Sequence, residues 1–325
     1  MRTTKTKIRF RALATLVAVL SLLAIPFTAK TARAATIEEV INFGSNPGNL
    51  RMYRYAPDGL AADRPLVVAM HGCTQNATDY GTRSGWVETA EKHRFALLLP
   101  EQSSTNNFNH CFNWFQGADT TRGSGEAESI AQMRRHMLDS VGSDPGKVYA
   151  TGLSAGGAMT AAMLAAYPEQ YEAGGVVAGL PYGCATSLLD AYTCMYPGKN
   201  DSPESWGDLV RAASSHSGPW PGLDVWHGDA DYTVAVANQR ELIEQWANVH
   251  GTDAIADSSG SIGGYPYSTY ENTAGTTVVR SYTITGMSHG QPVAPSSGCG
   301  ATASHMLDVG VCAASMMTEN WQLAD

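Results

Sequence analysis

Lys147 to Thr151 runs straight into Gly152-Leu153-Ser154-Ala155-Gly156-Gly157, and a run of small and apolar residues follows as far as Tyr167, before Pro168. The first stretch reads as a strand over 147–151 and the last as a helix over 155–167. A serine on the turn between them, with glycine two positions before and two after, constrains the fold more than any other feature. The hydroxyl projects above such a turn only where the flanking positions have no side chain to collide with neighbouring backbone. The helix N-terminus adds amides and a dipole that favour developing negative charge. Ser154 is therefore the expected nucleophile.

The rest of the chain follows the same alternation. Residues 49–56, 65–70, 96–99, 147–151, 176–178, 223–226 and 277–284 read as strands, most of them continuous apolar runs. Pro100 is expected to end the third of them. Residues 84–93, 126–141, 155–167, 236–249 and 306–323 read as helices, the last with a break near Cys312. Apolar strands separated by helices imply a mostly parallel central sheet with helices on both faces, here an α/β-hydrolase fold. No fixed repeat and no linker rich in Pro, Ser or Thr divides the chain, so 35–325 is expected to be a single catalytic domain. Residues 251–276 are polar and glycine-rich, with Tyr265, Tyr267 and Tyr270, and read as a functional loop, a small hairpin or a surface insertion.

At the N-terminus, Arg2, Lys5, Lys7, Arg9 and Arg11 precede an apolar stretch from Ala12 to Phe27 and the small-x-small triplet Ala32-Arg33-Ala34. This is the pattern of a secretory signal peptide over 1–34. Removing it takes away seven of the 21 basic side chains and none of the 30 acidic ones, which leaves a net charge of −16. A nucleic-acid partner is not expected, because phosphate binding needs a basic footprint. The expected product is a monomer outside the cell or in the periplasm, with no membrane attachment after cleavage. The chain's cysteines number six, Cys73, Cys111, Cys184, Cys194, Cys299 and Cys312, an even count that suits disulfides in an exported chain. Six cysteines allow 15 pairings. Closeness favours Cys184–Cys194 and Cys299–Cys312, which leaves Cys73–Cys111. No Cys-x-x-Cys or paired-histidine spacing points to a metal.

A serine nucleophile needs a base, and the base an orienting acid, in the chain order Ser, Asp or Glu, His. Of the histidines after Ser154, His289 stands just past the last expected strand in Gly286-Met287-Ser288-His289-Gly290, where flanking glycines let a loop present it. His250 and His305 fall at helix ends and read as surface or packing residues. Two aspartates compete for the acid in His227-Gly228-Asp229-Ala230-Asp231. Asp231 is later and can turn toward His289, and Asp229 can hold the loop through backbone amides. Oxyanion donors are expected at the backbone N–H of Ala155 and of Cys73, in His71-Gly72-Cys73-Thr74-Gln75.

His71 to Gln75, Cys111-Phe-Asn-Trp-Phe115, Gly152 to Gly157, Pro181-Tyr-Gly-Cys184, the HGxxDxxV pattern from His227 to Val234, and Gly286 to Gly290 together resemble the poly(3-hydroxybutyrate) depolymerase family of esterases, which includes feruloyl and acetylxylan esterases. The likeness spans the chain from about Ala35 onward. It implies a triad of Ser154, Asp231 and His289, with Asp231 at the D of the HGxxDxxV pattern. It also implies the Cys73 and Ala155 oxyanion donors, a substrate-contacting wall around Trp114, and no cofactor. Core packing is the competing reading of Trp114. The expected substrate is a short-chain polyhydroxyalkanoate or its oligomers, and the alternative is a feruloyl or acetyl ester on plant polysaccharide. Polymer-degrading members usually carry a linker and a polymer-binding domain, and neither is visible up to Asp325, which leaves solid polymer in question. A non-catalytic polymer-binding relative is a third reading, opposed by the ordered Ser, Asp and His.

Overall fold

The computed structural model describes residues 1–2 and 36–323, so the expected signal peptide lies outside the described residues apart from its first two. Among the described residues ten strands form one sheet: β1 (Glu38–Val40), β2 (Arg51–Tyr55), β3 (Leu66–Met70), β4 (Ala96–Glu101), β5 (Val148–Leu153), β6 (Ala173–Val177), β7 (Gly222–Gly228), β8 (Ser258–Ile262), β9 (Tyr265–Glu271) and β10 (Thr277–Ile284). Their spatial order is β1-β2-β4-β3-β5-β6-β7-β10-β9-β8. The six central strands, from β4 to β10, are parallel, with antiparallel pairs at both edges. This is the α/β-hydrolase architecture. A further pair, β11 (Gln291–Val293) and β12 (Met306–Asp308), lies outside the large sheet.

The helices are α1 (Ala77–Arg83), α2 (Trp86–His93), α3 (Gly117–Thr120), α4 (Gly125–Val141), α5 (Ala155–Ala166), α6 (Leu188–Met195), α7 (Pro203–Ala212), α8 (Ala237–Val249) and α9 (Ala313–Asn320). Alternation along β3 shows why both sheet faces are covered. Leu66, Val68 and Met70 pack in one core cluster with Ile130 and Met133 of α4, Met159 and Met163 of α5, and Leu242 and Trp246 of α8. Val67 and Ala69 pack in a second cluster with Trp86 and Ala90 of α2 and Ala314 and Met317 of α9. All twelve residues of α5 are buried. Its alanines and glycines let the helix axis lie close to the sheet, where larger side chains would hold it off.

Several expectations change in detail. Pro100 does not end β4, which runs to Glu101. Pro100 lies beyond Leu98, the last residue paired with β3, so its missing N–H breaks no bond in that ladder. Residues 258–271 form a hairpin that extends the sheet edge beyond β10. Its turn, Gly263-Gly264, has positive φ at both positions, as a two-residue type I′ connection demands. The expected helix over 306–323 is wrong in its first half, because Met306–Asp308 is strand paired with β11 and the helix begins only after Cys312. Three residues are too few to show a strand period, and their partner lies 15 residues upstream.

Candidate active site

The parallel strands present their carboxyl ends on one side of the sheet, and Ser154 stands there between β5 and α5. Its backbone is at φ 56°, ψ −117°, a conformation that non-glycine residues rarely adopt. A Cβ on Gly152 would meet the carbonyl of Gly156, and one on Gly156 the carbonyl oxygen of Met70 at the end of β3. The two glycines are thus required by close backbone approach. The Ser154 N–H donates to the Val177 carbonyl at 2.9 Å, which ties the turn to β6.

His289 lies in the loop after β10, and Asp231 in the loop after β7. The His289 Nδ1–H donates to Asp231 Oδ2 at 2.7 Å. Asp231 Oδ1 accepts from the amides of Thr233 at 2.8 Å and Val234 at 2.9 Å. His227 Nε2 lies 3.5 Å from the same carboxylate and donates to the Val234 carbonyl at 2.9 Å. Burial by itself would raise the Asp231 carboxyl, but the histidine hydrogen bonds, the His289 charge and the Val234 amide outweigh it and hold it well below the usual range. The competing aspartate does something else: Asp229 Oδ1 accepts from the Gly286 N–H at 2.6 Å and so links the two loops.

Ser154 and His289 line one cavity of about 390 Å³. Its lining has an apolar part, Trp114, Phe115, Leu188, Ala191, Tyr192 and Met195, and a polar part that includes Gln75, Asn107 and Asn109. Trp114 both lines this cavity and packs edge-on against Phe115, with ring centroids 5.5 Å apart. Among the described residues neither the Cys73 nor the Ala155 N–H has an acceptor. Their neighbours are pinned: Gly72 N–H donates to Gln75 Oε1 at 2.8 Å, and Thr74 N–H to the Asn109 carbonyl at 2.7 Å. The three disulfides are Cys73–Cys111, Cys184–Cys194 and Cys299–Cys312, the pairs that spacing favoured. The first bolts the Cys73 loop to the Trp114 wall.

Three residues near the cavity escape a linear reading. His71 is fully buried, with Nδ1–H donating to the Gly72 carbonyl at 2.8 Å and Nε2 accepting from the Gln102 amide at 3.1 Å. Burial pushes its imidazole down to about 4, so it stays neutral while it shapes the Cys73 loop. Glu126, also fully buried at the start of α4, receives Gln102 Nε2 at 2.5 Å, Asn113 Nδ2 at 2.8 Å and Asn113 N–H at 2.9 Å. Gln102 also donates to the Cys111 carbonyl at 3.1 Å, so this network backs the apolar wall. His305, expected at a helix start, instead lines the cavity, with Nδ1 3.1 Å from the His289 carbonyl oxygen. The misread strand β12 hid it. His250 lies elsewhere, bonded to the Pro221 carbonyl at 3.0 Å.

This fold, with a serine on the strand–helix turn and a histidine–aspartate pair sharing its end of the sheet, defines a carboxylic-ester hydrolase of the α/β-hydrolase type. Comparison with known proteins agrees. The chain belongs to the esterase PHB depolymerase family, which matches residues 50–263. It is 50% identical to poly(3-hydroxyalkanoate) depolymerase C of Paucimonas lemoignei over 280 residues, 85% of this chain and 67% of the relative. It is 31% identical to feruloyl esterase B of Talaromyces funiculosus over 268 residues, 80% of this chain and 74% of the relative. Among solved structures, the acetyl xylan esterase from Aspergillus awamori superposes with a TM-score of 0.74 at 27% identity, covering 89% of this chain and all of that one.

Proposed function

We propose that this protein is a secreted, monomeric serine esterase that hydrolyses short-chain polyhydroxyalkanoate, poly(3-hydroxybutyrate) or its oligomers. Ser154 Oγ attacks the ester carbonyl while His289 Nε2 takes the hydroxyl proton. Asp231 holds the imidazole in the tautomer with its proton on Nδ1 and, as a fixed negative charge, stabilises the imidazolium. The Cys73 and Ala155 amides receive the oxyanion, each worth about 3–4 kcal/mol in comparable sites. His289 then protonates the leaving alcohol, and water attacks the acyl-enzyme by the reverse route. The three disulfides and the absence, among the described residues, of any helix long and apolar enough to cross a membrane support an extracellular setting.

The observation that carries the polyester reading is the apolar wall beside Ser154. Leu188, Ala191 and Met195 with Trp114 offer a surface for methyl and methylene groups and few donors for a phenol or sugar. The 50% identity to a polyhydroxyalkanoate depolymerase supports the same choice. The second reading, an esterase acting on feruloyl or acetyl groups of polysaccharide, draws on Gln75, Asn107 and Asn109 in the same lining. Parallel assays on hydroxybutyrate oligomers, polyhydroxybutyrate film, methyl ferulate and acetylated xylan separate the two. Hydroxybutyrate release is expected, and turnover of ferulate or acetylxylan alone would reject the polyester reading.

A further inference from the structure

A second cavity, of about 530 Å³, opens at the other end of the sheet. Tyr149, Ala173, Gly222 and Val278 line it, and they stand at the amino ends of β5, β6, β7 and β10. Ser154 and His289 follow the carboxyl ends of β5 and β10, so the length of the strands separates the two cavities. A volume of this size falls in the range of small-molecule sites. The proposed ester hydrolysis makes no use of it.

Its polar lining is only partly committed. Arg280 lines the cavity with its side chain 28% exposed. It makes one loose ion pair, Nη1 to Asp224 Oδ1 at 3.7 Å, and donates no hydrogen bond among the described residues. Asp224 is 1% exposed, and its Oδ1 has no hydrogen-bond partner there either. The guanidinium is thus held by a buried charge while its N–H groups stay available. Asn320 Nδ2 donates to Asp224 Oδ2 at 3.2 Å and to the Tyr282 hydroxyl at 2.9 Å, which leaves Asn320 Oδ1 as an open acceptor. His250 Nε2–H donates to the Pro221 carbonyl at 3.0 Å, and burial lowers its pKa, so the neutral ring keeps Nδ1 as a second acceptor. The exposed Glu172 carboxylate is a third. Among these groups sits Trp220, half-buried. It meets the His216 ring at 80° with centroids 5.0 Å apart, and no ring stacks parallel to it among the described residues.

This set selects a ligand by its chemistry. Three acceptors call for several O–H or N–H donors on the ligand, and Arg280 calls for acceptors as well. An aliphatic ester only accepts, so the cavity is not a second polyester site. A carboxylate would suit Arg280 but would share the cavity with Glu172 and approach Asp224. Hydroxyl groups donate and accept without charge, and a pyranose ring adds a face of C–H groups that can lie on an indole. We infer that this cavity binds a neutral sugar of one or two pyranose rings, at the end of the sheet opposite the ester cavity. A site placed there holds carbohydrate while the ester cavity stays open. The inference is independent of which ester Ser154 cleaves.

The test is a ligand-observed NMR titration of the full chain with cellobiose, xylobiose and maltose, with 3-hydroxybutyrate as the anionic control. At least one disaccharide should bind with a Kd of about 1–10 mM. Arg280→Lys keeps a cation beside Asp224 and loses the planar fork, and Trp220→Ala removes the apolar surface. Each should weaken that binding about tenfold. Both variants should melt in one cooperative transition and hydrolyse p-nitrophenyl butyrate within about twofold of the parent. Binding of every disaccharide weaker than about 10 mM would overturn the inference. So would tighter binding of 3-hydroxybutyrate than of any disaccharide, or unchanged sugar binding in the two folded variants. Loss of sugar binding once Ser154 is phosphonylated would place the sugar in the ester cavity and overturn it too.

Discussion

Asp231 and Glu126 are two buried carboxylates, one bonded to the cavity residue His289 and the other to Gln102 and Asn113 behind the Cys111–Trp114 segment, and burial affects them differently. Asp231 is met by two backbone amides and two imidazoles, and these outweigh desolvation, so its carboxyl is held low and charged. Glu126 is met by one backbone amide and two neutral side-chain amides, and desolvation wins, with Asp119 adding to it, so its carboxyl is pushed up to about 8. A partner that can itself become positive separates the two cases. In the proposed mechanism the charged one faces the imidazole that takes the serine proton, and the other braces the loop that carries Cys111 and Asn113.

The sharpest way to break this contrast is Asp231→Asn. It keeps the shape and removes the charge, and kcat should fall by about 10³–10⁴ with the fold intact by circular dichroism. An effect below tenfold would make Asp231 no more than scaffolding. Glu126→Gln should act on the other quantity. Its amide group must oppose an N–H donor at one of the two carboxyl oxygens, so unfolding free energy should drop by about 1–3 kcal/mol in urea titration while kcat changes less than tenfold.

The pH dependence of stability sharpens the same point. Glu126 has its folded pKa raised from 4.5 to about 8, so the folded protein binds the extra proton in that window. Its contribution is full below pH 4.5 and is lost as pH rises to about 8. Asp231 runs the other way: its pKa is lowered, so its contribution is present above 3.8 and lost only as pH falls toward its depressed folded value. His71, lowered to about 4, opposes this in the lower part of the window, so the test is the difference between proteins: the melting temperature of the parent relative to Glu126→Gln should fall between pH 4.5 and 8. The smallest effect is expected for His305→Ala. It removes one exposed contact to the His289 carbonyl, and kcat/KM for a soluble ester should drop by less than about tenfold.

The elbow was legible in the sequence because its requirements are local: Gly152, Gly156 and the start of the helix are within two residues of Ser154. The parallel sheet was legible because its strands are continuous apolar runs. From the residues alone the expected acid was legible as a pair, and the family resemblance pointed to Asp231. Asp229 and Asp231 differ in which loop each meets, and the Gly286 amide that occupies Asp229 lies 57 residues on. Glu126 looked like the polar start of a helix, because its partners Gln102 and Asn113 come from a loop with no periodic signal. His305 was hidden by reading 306–323 as one helix, since a three-residue strand is defined by its partner and leaves little pattern of its own.

The central claim is that Ser154 is the acyl-accepting nucleophile, and covalent labelling tests it most directly. The full chain is treated with a fluorophosphonate, which phosphonylates an activated serine hydroxyl and expels fluoride, and the adduct is located by mass spectrometry of tryptic peptides. One adduct per chain on Ser154 is predicted, with loss of esterase activity in proportion and a much slower reaction in Asp231→Asn. An adduct on another residue, or an inactivated enzyme with Ser154 unmodified, would contradict the account.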